Sequence, residues 1–254
     1  MLNEILTADV FAIGLVFARI GAAMMLLPGF AESYVSPRIR LLISLALSIV
    51  ITPVVSPHLP PMPPSLLGAA ALIIGEIIYG IFLGGLTRLL ISALHVAGVV
   101  IGFQTSLSNA TFFDPSNSQQ GALIAAFFNI LGVFMIFVTD LHHLMLMAIA
   151  DSYTLFAPGG PIPFDSFSEI VVRVLADSFK LGIQLAAPFL EVGTVFYAGL
   201  GLLGRLMPQV QVFFIAIPLQ IMLAFIVMSM TLSAGMFWFL SRFEDNLLRF
   251  TGQG

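Results

Sequence analysis

The sequence contains no cysteine, so disulfide bonds, thiolate catalysis and thiolate metal sites are all excluded. Charge is also scarce, because charged residues make up 9% of the 254 residues, against about 25% in an average soluble domain. The 13 acidic and 9 basic residues give a net charge of −4 and form no basic cluster that could follow a nucleic-acid backbone. Nucleic acid is therefore not an expected partner.

Apolar residues dominate instead, at 59% of the chain with a mean hydropathy of +1.08. Several runs reach the ~20 residues that a helix needs to cross the hydrocarbon core of a bilayer. The amino terminus, MLNEILTADV, lacks the positive region of a cleaved signal peptide, so we interpret the first run as a retained helix. The sequence predicts an all-α integral membrane protein with about six long, kinked apolar helices.

The predicted apolar segments are bounded by prolines, glycines and charges, and they cover residues 10–30, 39–55, 66–107, 122–150, 181–203 and 210–240. The third is too long for one crossing, so one long bent helix and two consecutive segments are both open. An amphipathic stretch, 167–180, leads into the fifth segment. Pro188 and Pro218 are expected to kink the last two helices.

Glycine spacing in the third segment predicts close helix packing. Gly80 with Gly84, and Gly98 with Gly102, are small-xxx-small pairs. Such pairs let helix backbones approach closely where lipid provides no hydrophobic drive to associate.

The positive charges give an inconsistent topology. Arg38 and Arg40 place the first turn in the cytoplasm, and Arg205 does the same for the last turn. The same count of six crossings puts Arg242 and Arg249 outside the cell, against the rule. We therefore do not expect all six segments to cross the bilayer in the ordinary way.

We predict a single membrane domain over residues 1–254, with no soluble domain. Within it, residues 1–180 precede a carboxy-terminal helical hairpin, 181–241, and a tail, 242–254. The turn of the hairpin is predicted at Arg205, Pro208 and Gln209.

Ionisable residues inside apolar segments cost ~2.5–3.5 kcal/mol each on insertion scales, so they usually face protein, water or a partner. The buried-charge candidates are Arg19, Glu76, Asp140 and Glu191. One hypothesis is a proton path with Asp140, His142 and His143 as the relay. The favoured alternative is that these charges pair across helix interfaces or face a polar pore. The partner of Arg19 does not follow from the sequence.

No catalytic or cofactor motif is present in the sequence. It has no nucleophile motif, no phosphate-binding glycine loop and no carboxylates at catalytic spacing, so we predict neither an enzyme nor a cofactor. Two adjacent histidines point about 100° apart on a helix. We therefore predict no metal site at His142 and His143.

A polar run, SLSNATFFDPSNSQQG at residues 106–121, interrupts the apolar chain. A segment this rich in Ser, Asn and Gln buries too little apolar surface to order itself, so its neighbours must impose any order that it has. It is a candidate movable element, and an ordinary inter-helix loop at the membrane surface is the alternative.

Three blocks of sequence, in this order and over nearly the whole chain, resemble the FliR/SctT family of type III export-gate membrane proteins. They are FARIGAAMMLLPGF followed by SPRIRLLISLAL, GEIIYGIFLGGLTRLL followed by GFQTSLSNATFFDP, and YAGLGLLGRLMPQVQVFFIAIPLQI. Where many relatives have Asn, this chain has Tyr197 and Gln211, so a specific hydrogen bond there is in doubt.

The resemblance implies a non-enzymatic subunit of the flagellar export gate, in the bacterial inner membrane at the flagellar basal body. It implies FliP-like and FliQ-like partners, further FlhB-like and FlhA-like export components, and unfolded proteins as the exported substrates. The amino-terminal part would be FliP-like and the hairpin FliQ-like. The family also carries a plug loop inside its channel, which corresponds here to Phe112, Phe113, Asp114 and Pro115. The alternatives are an injectisome homologue and a small proton-coupled secondary transporter.

Overall fold

The computed structural model describes residues 2–106, 123–206 and 212–250, and these residues form seven α-helices, one short 3₁₀ turn at Ser56–His58 and no strand. The helices are α1 (Leu2–Met24), α2 (Pro37–Val55), α3 (Leu66–Gln104), α4 (Leu123–Val138), α5 (Leu141–Leu155), α6 (Phe164–Leu206) and α7 (Val212–Phe250). The prediction of an all-α membrane protein is confirmed.

The breaks between the first helices follow from local sequence. The helix α1 ends before Pro28 and Gly29, and Gly29 has a φ of +83°, a conformation that favours glycine. Ser36 then caps α2 by accepting a hydrogen bond from the backbone N–H of Ile39 at 3.4 Å, with Pro37 at the first helical position.

Three helices are far longer than a bilayer requires. The 39 residues of α3 form one continuous helix, which settles the choice between one helix and two segments. At a rise of ~1.5 Å per residue, α3 is ~58 Å long, about twice the hydrocarbon core. The predicted lead-in and fifth segment likewise form one 43-residue helix, α6, while α7 continues to Phe250, past the predicted end.

Four helices of the described residues are long and apolar enough to cross a membrane: residues 37–58, 66–104, 164–206 and 216–249. The count becomes five if α4 and α5, which are bent by 76° at their break, form one span. The first predicted segment begins within α1 and continues past its end at Met24. By length and composition alone, the described residues thus account for four or five crossings.

The chain divides into two compact units. Unit 1 comprises residues 1–90, 136–175 and 243–254, and unit 2 comprises residues 91–135 and 176–242.

Glycines allow the closest helix contacts inside each unit. In unit 1, a Cβ on Gly80 would collide with the backbone oxygen of Arg19, and one on Gly84 would lie 2.6 Å from the backbone oxygen of Ala23. In unit 2, a Cβ on Gly98 would collide with the backbone of Ala125. The close packing predicted from the glycine spacing is confirmed at these three positions.

Candidate functional site: two buried polar clusters

The first cluster lies in unit 1 and is built around Arg19 of α1. Arg19 and Glu76 of α3 are both 0% exposed. The guanidinium Nε donates to Oε2 of Glu76 at 2.7 Å, and Nη2 donates to Oε1 at 2.9 Å. This two-pronged geometry is the strongest form of carboxylate recognition by arginine.

Two further acceptors and two aromatic rings complete the surroundings of the guanidinium. Nη1 donates to Oγ of Ser152 at 2.9 Å, and Nη2 donates to the backbone oxygen of Phe156 at 2.8 Å. The guanidinium carbon lies 3.8 Å from the ring centre of Tyr153 and 4.9 Å from that of Tyr79. Both contacts are within the range of cation–π attraction.

This cluster joins three helices of unit 1 through one side chain. Arg19 comes from α1, Glu76 from α3 and Ser152 from α5, so the arginine connects residues that are far apart in the sequence. Its donors face protein acceptors and its carboxylate partner is buried, so the arrangement stabilises packing and offers no open position for a substrate.

The second cluster lies in unit 2 and is built around Gln220 of α7, which is 5% exposed. Its Oε1 accepts a hydrogen bond of 2.7 Å from Oγ of Ser106. Its Nε2 donates to the backbone oxygen of Gln104 at 2.6 Å and to the hydroxyl of Tyr197 at 2.9 Å. Gln220 therefore connects α7 with α6 and with the end of α3.

The position of this cluster along the chain is its most informative property. Ser106 is the first residue of the polar run and has a φ of 57°, a left-handed conformation that is uncommon for serine. It follows the last residue of α3, Gln104, by two positions. The Gln220 cluster thus fixes the point at which α3 ends and the polar run begins.

The sequence is similar to that of known bacterial export proteins over nearly its whole length. The profile of the family described as "Bacterial export proteins, family 1" matches residues 10–246. The flagellar biosynthetic protein FliR of Caulobacter vibrioides is 36% identical over 98% of this chain and 100% of its own length. The chain belongs to this family of bacterial export proteins. The FliR proteins of Pectobacterium carotovorum and Escherichia coli are 31% and 29% identical, over 81% and 80% of this chain and 78% and 77% of their own lengths.

The family's predicted plug lies outside the part of the chain that the structure describes. Phe112, Phe113, Asp114 and Pro115 fall in the gap between residues 106 and 123, and Pro208 and Gln209 of the predicted hairpin turn fall in the gap between 206 and 212. Arg205 is described, and it is exposed near the end of α6. The roles assigned to these residues stay predictions.

The four charges singled out in the sequence separate into two groups. Arg19 and Glu76 form the buried pair, with Glu76 as the partner that the sequence did not identify. Asp140 and Glu191 are exposed on the surface of the chain. The side chain of Asp140 lies 3.5 Å from Nδ1 of His143.

The geometric argument against a metal site at the adjacent histidines was wrong. The rings of His142 and His143 have centres 4.0 Å apart, and ligand atoms of Asp140, His142 and His143 all lie within 4.8 Å of one another. Directions along a helix axis describe Cβ atoms, whereas long side chains in the first turn of a helix can converge by rotation about χ1 and χ2.

Sequence reasoning missed Gln220, although a signal was available. It is a polar side chain in an apolar helix, and such residues in membrane segments commonly bond to neighbouring helices. The substitution at Tyr197 raised doubt about a hydrogen bond at that position, and the structure places one there, to Gln220.

Proposed function

We propose that the chain is a non-enzymatic structural subunit of the flagellar protein export gate in the bacterial inner membrane. The match to the export family over residues 10–246 carries the proposal. The names of the relatives, flagellar biosynthetic proteins, favour a flagellar system over an injectisome. The proposed partners are FliP-like and FliQ-like subunits, with further FlhB-like and FlhA-like export components.

The lengths of the helices support assembly with other subunits. The helices α3, α6 and α7 have 39 to 43 residues, while a bilayer core accommodates ~20. In the most apolar 18-residue stretch of each of these helices, no more than 28% is buried within the chain. Apolar surface on the excess length needs cover, and neighbouring protein subunits supply it where lipid does not reach.

A groove on unit 1 is an example of such uncovered surface. It has a volume of about 430 Å³ and is lined mainly by apolar side chains of α3, among them Ile78, Ile81 and Leu89. An apolar groove of this kind would promote aggregation in a monomeric soluble protein, whereas in a subunit of a larger assembly a neighbouring subunit covers it.

We propose further that residues 106–121 act as a displaceable plug in the export channel. Phe112 and Phe113 would obstruct the lumen, while Asp114 and Pro115 disfavour continuation of a helix. The hydrogen bonds of Gln220 support this role because they secure the first residue of the run, Ser106, to a buried position. A segment that is held at its first residue can leave the lumen and return to the same position.

The assembly is tested by purification of the chain from its own host with mild detergent. We expect FliP-like and FliQ-like subunits to co-purify with it, and deletion of the gene to abolish secretion of flagellar proteins. A stable monomer that moves a small solute into liposomes would instead support a secondary transporter and refute the proposal.

The plug is tested separately, in the assembled complex, with the double variant Phe112→Ala and Phe113→Ala. We expect the complex to conduct ions when reconstituted into a planar bilayer, since two obstructing rings are removed. The control is Phe103→Ala with Phe134→Ala, which removes two exposed rings outside the run. Conductance unchanged in the first variant, or equal in the two, would contradict the plug.

A further inference from the structure

Asp140, His142 and His143 bring three potential metal ligands together at the break between α4 and α5. Their ligand atoms lie within 4.8 Å of one another, and this is the one such group among the residues that the structure describes. The Nδ1 atom of His143 is 3.5 Å from a carboxylate oxygen of Asp140. Two imidazoles and a carboxylate are a ligand set that first-row divalent cations accept.

The backbone at Asp140 explains why these side chains converge. Asp140 occupies the N-cap position of α5, yet its φ of 59° and ψ of 11° are left-handed, and its side chain makes no capping hydrogen bond. An aspartate at an N-cap normally has extended backbone and uses its carboxylate to bond the first helical N–H groups. Here the carboxylate is left available, and the less common backbone conformation directs it towards His143.

The ring of His142 packs against an aromatic neighbour, and one of its nitrogens lacks a hydrogen-bond partner among the described residues. It stacks on Phe137 with ring centres 4.6 Å apart and an interplanar angle of 15°. Its Nδ1 atom is buried and has no hydrogen-bond partner among the described residues. A buried polar atom without a partner is rare in native structures, and an ion is one of its ordinary explanations.

We propose that Asp140, His142 and His143 form a binding site for a divalent cation of the Zn²⁺ class. Zinc–ligand bonds of ~2.0–2.1 Å place tetrahedral ligand atoms roughly 3.3 Å apart, so the group must contract slightly. The side chains of Asp140 and His143 are 77% and 65% exposed, which leaves them free to make this adjustment around the fixed ring of His142. Three protein ligands leave a fourth position for water or for a group from a neighbouring subunit.

A bound cation would reinforce the break between the two helices. The residues between α4 and α5 are Thr139 and Asp140, so the site would tie Asp140 of the break to two histidines in the first turn of α5. Without a cation, Asp140 and His143 are linked by an exposed contact of 3.5 Å, which adds little to the stability of the joint. A cation replaces this contact with three bonds to one centre.

Binding is measured by calorimetric titration of Zn²⁺ into the full-length chain, purified with its complex, stripped with EDTA and freed of any polyhistidine tag. We expect one site per copy of this chain that is absent from Asp140→Asn, which keeps the size of the side chain, or is weakened at least ~10-fold in it. The double variant His142→Ala with His143→Ala should abolish the site. Titration of the wild type with Co²⁺ should give the visible absorption bands of a low-coordinate nitrogen and oxygen site, and the double histidine variant should lack them.

The matched control is His58→Ala, because His58 is exposed and lies outside the group. The control should bind Zn²⁺ as the wild type does. Equal affinity in the wild type and Asp140→Asn would overturn the proposal, and so would loss of the site in the His58 variant. Either result would assign Zn²⁺ binding to scattered surface groups, while the export function would stand untouched.

Discussion

Removal of Arg19 or Glu76 alone should destabilise the protein more than removal of both together. The variant Arg19→Met leaves the carboxylate of Glu76 fully buried with no cation beside it. Breaking a buried ion pair by removing one partner costs ~3–5 kcal/mol, because a buried charge is left uncompensated. Glu76→Leu should cost a similar amount, since it strands the guanidinium.

The double variant should recover most of this loss. With both charges gone, the desolvation cost of the pair disappears, and replacement of a buried pair by apolar residues is often neutral or stabilising. Two acceptors lose a donor, but Ser152 keeps its own hydrogen bond to the backbone oxygen of Ile149 at 2.6 Å. The backbone oxygen of Phe156 is left, at a cost of ~1–3 kcal/mol.

The assay is heating of detergent-solubilised complex followed by size-exclusion chromatography with fluorescence detection. At ~2–4 °C per kcal/mol for a chain of this size, either single variant should lower the apparent melting temperature by ~6–20 °C. The control pair is Arg173 and Glu169, which are 68% and 71% exposed and 2.8 Å apart on α6. Removing Arg173 should change stability by at most ~0.5 kcal/mol.

Two outcomes would refute this reasoning. If Arg19→Met melts at the same temperature as the Arg173 variant, the pair is not buried in the working protein. If the double variant loses as much as the two single variants together, the residues do not interact, and Arg19 acts through some other partner.

Two further predictions concern the packing of α3 and the second polar cluster. Gly80→Ala should destabilise the protein by ~1–3 kcal/mol, because the added Cβ meets rigid atoms of α1. Gly85→Ala should leave the melting temperature equal or slightly raised, because a Cβ at that position has no atom within 4 Å. Equal loss in the two would mean that α1 and α3 are not in close contact. Gln220→Leu removes three hydrogen bonds and leaves the partly buried backbone oxygen of Gln104 without its donor. It should therefore increase ion leak through the assembled complex and lower the melting temperature more than Tyr197→Phe, which removes one neutral bond. A tight complex with Gln220→Leu would show that the cluster does not secure the polar run.

The sequence predicted the kind of interaction at Arg19 without predicting its partner. A charge inside an apolar segment is expensive, and this alone indicates a buried counter-charge. Glu76, however, lies 57 residues away, and tertiary packing decides which faces of α1 and α3 meet. The glycines gave the better signal for this pairing, since Gly80 and Gly84 mark the face of α3 that contacts α1.

The break at Asp140 shows a different limit. Residues 122–150 read as one apolar stretch, and no proline or glycine lies at the joint to indicate where a helix ends. The structure ends α4 at Val138 and restarts at Leu141, with Asp140 in the left-handed conformation between them. Aspartate tolerates this conformation better than most residues, but far less commonly than glycine, so the sequence gives only a weak signal.

The distribution of polar and apolar side chains explains why such clusters decide the fold of this chain. Large apolar residues such as Val50, Leu66 and Met230 are exposed on its surface, while Arg19 and Glu76 are buried inside unit 1. Among helices surrounded by lipid or by apolar partners, burial of apolar surface distinguishes poorly between one packing and another. Directional hydrogen bonds do distinguish, because a misplaced helix leaves their donors and acceptors unpaired in a medium that cannot hydrate them. We infer that the Arg19 and Gln220 clusters select the correct helix partners in their respective units, and that the apolar exterior is left for the neighbours that assembly provides.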